Sequence, residues 1–359
     1  MPRIFLTNDR PSLNCKSDLQ NLSYVVIIIS LYLSIALGVL NVICAIIFGS
    51  RYDDKDEEFL KVVQFSRDIT KGFDSASAST FIPWLRFFPN TGLEMLKKGA
   101  KARDELLADK LEQHRKDFDP ENLRDFTDAL IDQFSKEESQ DKSVRKYLTD
   151  AHLEMILSDL FLAGGETTTT TILWYMAYMV TWPEVQTKIA EERKRILGDR
   201  APNAKDRGQL PYFEATIQEA IRLSSLTPLG VPHKTIRDTS IDNLKIPKGT
   251  QVWFNHWAIH HDKHQWDEPD AFKPERWLDD EGNLVPGAKQ SYLPFGAGRR
   301  VCIGESLAKM ELFLFLSSIL YRYDIERALD GSLPDLEGIL SVILSPKPFQ
   351  VMLKRRVSS

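Results

Sequence analysis

The chain has 359 residues, with 46 Lys and Arg against 51 Asp and Glu, for a formal net charge of −5. Its composition, 43% hydrophobic and 27% charged, excludes a fibrous, low-complexity or wholly membrane-embedded class, and the weakly acidic balance disfavours a nucleic-acid partner. Cys15, Cys44 and Cys302 lie far apart with no CxxC, so neither a disulfide scaffold nor a four-cysteine zinc site has its ligands, and any reactive cysteine acts alone.

From Leu19 to Ser50 no charged residue occurs, and VVIIISLYLSIALGVLNVICAIIFG within that stretch reaches the roughly 20 apolar residues of a membrane helix. The polar run before it, with Asp9 and Asp18, lacks the basic start and cleavage site of a secretory signal. Two readings of residues 24–49 stay open here: a bilayer span, or a buried core helix preceded by unrelated sequence. Tyr52 to Gln140 reads as long, charged surface helices. A loop is centred on Phe88, Pro89 and Asn90, and a helix start is expected at Asp119 and Pro120, where Asp caps and Pro fills the first turn.

From Asp150 the run HLEMILSDLFLAGGETTTTTILWYMAYMV predicts a helix of about 30 residues ending at Trp182-Pro183, too apolar for a surface helix and so expected to cross the interior. Inside it, Ala163-Gly164-Gly165-Glu166-Thr167 combines glycines with threonines whose hydroxyls compete for carbonyls, so the helix is expected to open locally. Pro183 opens a charged helix stopped near Gly198, and a further helix runs from Tyr212 to Leu223. There Glu219-Ala-Ile-Arg222 places two opposite charges on one helical face.

A β-like stretch punctuated by Pro and Gly follows, through His233, Lys245-Ile246-Pro247 and Val252-Trp253-Phe254. The reading is a mainly α chain with a small β part and no internal repeat. His256, His260, His261 and His264 cluster without HExxH or a nearby thiolate, so a solvated loop before Pro274 is expected rather than a zinc site.

The most specific segment is Phe295-Gly-Ala-Gly-Arg-Arg-Val-Cys302-Ile-Gly304. Phe295, Gly298, Arg300, Cys302 and Gly304 fill the five fixed positions of FxxGxRxCxG, a match expected by chance on the order of once in ten thousand sequences of this length. A metal-binding thiolate must stay deprotonated. A glycine-rich turn exposes backbone N–H groups to the sulfur, and the helix beginning near Glu305 points its positive end toward it. Arg300 supplies a cation for an acidic cofactor group.

This segment resembles the haem-binding loop of the cytochrome P450 family, whose cysteine is the axial ligand of haem iron and favours O–O cleavage by thiolate donation. The resemblance implies that Cys302 is that ligand and that Phe295, Gly298 and Arg300 belong to the cofactor site. His233, in Pro232-His233-Lys234, would donate to a propionate. Glu219 and Arg222 match the family's ExxR, and Arg276, in Pro274-Glu-Arg276, matches the third member of a buried salt-bridge triad beneath the haem. Glu166 and Thr167 match (A/G)Gx(D/E)T and would be the proton-delivery pair for dioxygen cleavage.

The longer stretches FGAGRRVCIGE with the preceding SYLP, NHWAIHHDKHQWDEPDAFKPERW, and PHK are most similar to the steroid 17-alpha-hydroxylase/17,20-lyase branch of microsomal enzymes. By that likeness Ala163, Leu226, Val231, Val342 and Ile343 line the substrate pocket. The branch's asparagine in the helix before Pro83-Trp84-Leu85 has no counterpart near Gly72.

The fold implied is a cytochrome P450 fold lacking its N-terminal region. Residues 1–35 are an unrelated lead-in, membrane-associated or disordered, and 36–359 a partial catalytic domain in which Val39 to Asp54 resembles an internal helix. The activity implied is haem-thiolate monooxygenation, inserting one oxygen atom from O2 into a lipophilic substrate of steroid type. The cofactor would be haem b, and electrons would come from NADPH through a P450 reductase, with cytochrome b5 as a second partner. The location implied is the cytosolic face of the endoplasmic reticulum membrane. The alternative left open is a truncated, non-catalytic product that holds no haem.

Overall fold

The computed structural model describes residues 24–25, 31–53, 55–81, 84, 87–88, 90–140, 149–285 and 291–356, so most of the 1–35 lead-in and Pro89 lie outside the described residues. Two compact units divide between Tyr32 and Leu33, at the start of one helix, and between Thr169 and Thr170, within a longer one.

The first unit is helical: α1 (Leu31–Phe48), α2 (Glu57–Phe81), α3 (Thr91–Lys116), α4 (Phe126–Gln140) and the first part of α5 (Asp150–Thr181). From Leu31 to Phe48 the apolar run read as span or core helix is α1, and residues 26–30 of that run lie outside the described residues. Among the described residues no helix is long and apolar enough to cross a membrane. Ile35, Ala36, Val39, Leu40, Ile43, Cys44, Ile47 and Phe48 are buried, and Asn41 accepts from Tyr52 N–H at 3.1 Å. Hydropathy alone could not separate the two readings, because a helix enclosed by protein is as apolar as one enclosed by lipid.

The expected opening of α5 is corrected: the helix is unbroken from Asp150 to Thr181. Thr167 Oγ1 and Thr169 Oγ1 each donate at 2.7 Å to the carbonyl four residues back, Ala163 and Gly165, so the hydroxyls are satisfied without unwinding. The glycines serve close approach instead. A Cβ on Gly164 would sit 2.7 Å from Ile43 Cδ1, and one on Gly165 2.5 Å from Leu40 Cδ2. Gly165→Val is therefore expected to destabilise the fold by about 1–3 kcal/mol through overpacking. Urea unfolding checks this, and Leu40→Ala should recover part of the loss when combined with it.

At position 72 a Cβ would lie 2.8 Å from the backbone nitrogen of Leu96, so the close contact of α2 with α3 leaves no room there for an amide side chain. The expected helix start at Asp119 and Pro120 is also corrected, to Phe126. Asp119 accepts from Glu121 N–H and holds a turn, while Asp125 accepts from Asp128 N–H at 3.0 Å and caps α4.

The second unit holds the rest of α5, α6 (Pro183–Leu197), α7 (Pro211–Ser224), α8 (His256–His261) and α9 (Glu305–Arg322). Its strands are β1 (Tyr24–Val25), β2 (His233–Lys234), β3 (Thr239–Ile241), β4 (Leu244–Ile246), β5 (Gln251–Val252), β6 (Tyr323–Arg327), β7 (Ile339–Leu340), β8 (Leu344–Ser345) and β9 (Val351–Arg355). They make one three-stranded sheet in the order β1-β9-β6 and three antiparallel pairs, β2 with β5, β3 with β4 and β7 with β8.

The mainly α reading with a small β part therefore holds. Pro opens both α6 and α7 at the first turn, where its missing N–H costs nothing. The buried Glu192 of α6 accepts from the N–H groups of Tyr212 and Phe213, at 2.8 and 2.9 Å, and so caps α7 from outside.

Candidate functional site

Glu219 and Arg222 sit three residues apart on α7 and are fully buried. Two charges without solvent are tolerable only if every polar atom is paired, and here they are. Glu219 Oε1 accepts from Arg222 Nη2 at 2.9 Å, from Arg276 Nε at 3.0 Å and from Lys273 N–H at 3.0 Å. Its Oε2 accepts from Arg222 Nε and from Trp277 Nε1, each at 2.9 Å.

Arg222 spends Nη1 on the His260 carbonyl at 2.7 Å and shares Nη2 with that of Ala271 at 3.3 Å, and Arg276 donates to the Asp267 carbonyl at 2.9 Å. Both guanidinium groups lie over the Trp266 ring, at 5.0 and 5.8 Å. The structure thus joins the three residues expected as a triad and adds Trp277 and Trp266, which the sequence reading missed; a Trp directly after Arg276 was the available signal.

The expected solvated histidine loop holds at His264, exposed in a turn, and is corrected for the other three. His256 to His261 form α8, capped by Asn255, whose side chain accepts from Ala258 N–H at 2.9 Å, and His260 is buried. Leu293 N–H donates to His260 Nε2 at 3.1 Å, so the ring proton resides on Nδ1, which lies 2.9 Å from Ser225 Oγ. Burial, then the neighbouring His256 and Arg222 charges, push its pKa down to about 3, which keeps the ring neutral.

Leu293 leads into the cysteine loop. Gly296 and Gly298 both take φ of 74°, a left-handed backbone that side-chain-bearing residues avoid. With that geometry Cys302 N–H donates to the Phe295 carbonyl at 2.9 Å and Val301 N–H to that of Gly298 at 3.2 Å. Cys302 is exposed, as are Arg300 and the apolar Val301 and Ile303 on either side of the cysteine. A Cβ on Gly304 would be 3.8 Å from Cys302 Sγ, and Gly304 is the N-cap of α9, whose first N–H groups receive no side-chain cap. The sulfur therefore lies at the positive end of a helix, beside backbone N–H groups that no side chain caps. Cys44, in the first unit, is buried, and burial pushes that thiol up to about 12, leaving it inert.

His233, on β2, is exposed, pairs with Val252 and turns its ring edge-on to Phe254 at 5.3 Å. Leu226 is half-buried and its carbonyl accepts from Leu344 N–H at 2.8 Å, bringing it to the turn that carries Val342 and Ile343. Val231 and Val342 project outward, at 75% and 62% exposure, whereas Ile343 is turned into the core at 8%. Ala163 is exposed and Thr167 half-buried on α5, in the first unit. In that unit His114, Asp125 and Asp128 are close enough to share an ion. They are instead committed to pairing, His114 Nε2 with Asp125 at 2.8 Å and Asp128 with Arg124 Nε at 2.7 Å, so they tie α3 to α4.

A family profile described as Cytochrome P450 matches residues 27–353. This chain belongs to the cytochrome P450 family. Among curated relatives, steroid 17-alpha-hydroxylase/17,20 lyase of Gallus gallus is 43% identical over 321 residues, covering 89% of this chain and 63% of that protein. The enzyme of the same name from Ictalurus punctatus is likewise 43% identical, over 89% of this chain and 62% of its own length. A solved zebrafish cytochrome P450 with progesterone superposes with a TM-score of 0.79 at 36% identity, covering 90% of this chain and 71% of that one. The chain thus spans less than two thirds of the length of these curated relatives. Both the cytochrome P450 fold and the likeness to the steroid 17-alpha-hydroxylase branch stand on these matches.

Proposed function

We propose that the chain is a haem-thiolate monooxygenase acting on a steroid. The observation that carries the reading is the cysteine loop: an exposed thiol at an uncapped helix N-terminus, preceded by two left-handed glycines and tied through His260 to a buried charge network.

That donor set fits an iron porphyrin. Cys302 would ligate the metal, the exposed Arg300 and His233 would meet the carboxylates, and Phe295, Val301 and Ile303 offer apolar contact for the ring. When bound, haem supplies the activation of dioxygen that no amino-acid side chain provides. The chain's own residues do the rest. In the second unit the Glu219, Arg222 and Arg276 network holds the loop's support rigid, and Leu226, Val231 and Val342 present apolar surface to a hydrophobic substrate; in the first unit Glu166 and Thr167 hold water and move protons, and Ala163 offers a small side chain.

The steroid class rests on the names of the relatives and on the progesterone in the zebrafish structure. Electrons from NADPH through a P450 reductase, assistance by cytochrome b5, and attachment to the cytosolic face of the endoplasmic reticulum follow as parts of the same proposal. So do a lead-in over residues 1–35 and a partial catalytic domain over 36–359.

Haem content of the purified 359-residue chain tests the reading. The expected result is a stoichiometric haem whose reduced carbon-monoxide adduct absorbs near ~450 nm, as thiolate ligation requires. Cys302→Ser should lose that band while keeping its helical circular dichroism, and progesterone should shift the spectrum of the unsubstituted protein. A chain that folds and takes up no haem overturns the proposal.

A further inference from the structure

Between the buried charge network and the cysteine loop stands one side chain that neither motif contains. His260 is bonded on both of its sides. Its carbonyl receives Arg222 Nη1 at 2.7 Å, and its ring Nε2 receives Leu293 N–H at 3.1 Å, two residues before Phe295, whose own carbonyl receives Cys302 N–H. The ring cannot rotate freely, because Nδ1–H points to Ser225 Oγ at 2.9 Å and the Ser225 hydroxyl donates on to the Arg222 carbonyl at 2.9 Å. Ser225 is the left-handed C-cap of α7, with φ of 39°, so this relay starts at the end of the helix that carries Glu219 and Arg222.

α8 itself is pinned: Trp266 Nε1 donates to the Ile259 carbonyl at 2.9 Å, and Asn255 caps the helix start. The aromatic face of His260 lies 5.9 Å from that of Tyr292, the residue before Leu293, and Tyr292 packs 4.6 Å from Trp277 of the network. All of these residues belong to the second unit.

Resting on the haem-thiolate reading, we propose that His260 is a positioning residue, transmitting the register of the Glu219, Arg222 and Arg276 network to the Cys302 loop through its bond to Leu293. The bond has a direction: Leu293 N–H can only donate, so the position requires an acceptor at the far end of the side chain and a donor at the near end. Few side chains meet that demand. Asn places its amide where Nδ1 is and can serve Ser225 but falls short of Leu293. Gln reaches Leu293 with its carbonyl oxygen. Phe keeps the ring's bulk and serves neither.

The test compares His260→Asn, His260→Gln and His260→Phe with the unsubstituted chain by two readouts. The first, which needs no cofactor, is amide hydrogen exchange in the segment from Leu293 to Cys302. Asn and Phe should speed it about tenfold, the effect of losing one hydrogen bond, while Gln leaves it near the original rate and α7 stays protected in all three. The second is the reduced carbon-monoxide spectrum of the haem-loaded proteins. Asn and Phe should lose most of the ~450 nm thiolate band in favour of a form without thiolate ligation, and Gln should retain it.

Unchanged exchange in the loop for Asn and Phe overturns the proposal, as does a thiolate band in Asn and Phe equal to that of the unsubstituted chain. Should the unsubstituted chain itself lack the band while loop exchange still responds as expected, the haem-thiolate reading falls and the positioning of the loop stands.

Discussion

Arg222→Ala is expected to cost about 3–5 kcal/mol of unfolding free energy, because it removes one of the two cations that compensate the fully buried Glu219 carboxylate, together with two of that carboxylate's hydrogen bonds. The side chain is fully buried and makes four hydrogen bonds, two to Glu219 and one each to the carbonyls of His260 and Ala271. Truncation leaves Glu219 with Arg276, Lys273 N–H and Trp277, and it leaves the His260 carbonyl without its donor. It also takes a cation from the face of Trp266.

Arg222→Lys should rescue little. An ammonium is a point donor on a flexible stem and cannot reproduce the fork that meets both carboxylate oxygens while still reaching a carbonyl. Native stabilities of 5–15 kcal/mol leave small reserves, so the Ala variant should show a markedly lower urea midpoint with an unchanged denaturant slope. A loss below about 1 kcal/mol, the range of an exposed ion pair, would mean that the network is not holding the fold.

Much of this site was legible in the sequence, for a definite reason. Local chemistry was written in contiguous residues: five fixed positions around Cys302 imply a glycine turn and a helix start, and both are present. The three-residue spacing of Glu219 and Arg222 implies one helical face, and the two are bonded. What the sequence hid depends on contacts between distant segments. His260 looked like one of four histidines in a polar stretch, and nothing local says that Leu293, 33 residues on, donates to it. Trp277 reads as an apolar residue until its ring nitrogen is seen on Glu219.

The glycines of Ala163-Gly164-Gly165 were read as weak points of a helix. In the structure they are where α1 comes close, a reason visible only once Leu40 and Ile43 are in place. The start of α4 was misjudged because Asp119-Pro120 and Asp125 both carry capping chemistry, and the tertiary tie of Thr127 Oγ1 to the Ile47 carbonyl at 2.6 Å fixes the second of them against α1.

Thr167→Val is expected to leave folding and haem content unchanged and to lower sharply the product formed per NADPH consumed. Thr167 Oγ1 donates its hydrogen to the Ala163 carbonyl at 2.7 Å, so toward a neighbouring water it acts through its oxygen lone pairs. A hydroxyl in that state can hold a water in place. In the proposed relay Glu166, the preceding residue, would exchange the proton with that water.

Val keeps the shape and the helical backbone but removes the oxygen, and the carbonyl it frees belongs to a turn of helix already closed by its own backbone bonds. Stability should therefore change little, and thermal unfolding checks that. The proton-dependent step should slow by 10²–10⁴-fold if positioned acid–base chemistry acts there. Reductant would then drain into hydrogen peroxide, measured beside product and NADPH oxidation with a reductase and progesterone. Thr167→Ser restores the hydroxyl without the methyl, so recovered coupling in Ser and lost coupling in Val separates the oxygen from the packing. Equal coupling in Val and the unsubstituted protein would remove Thr167 from proton delivery and leave its hydroxyl as a helix-internal bond to Ala163.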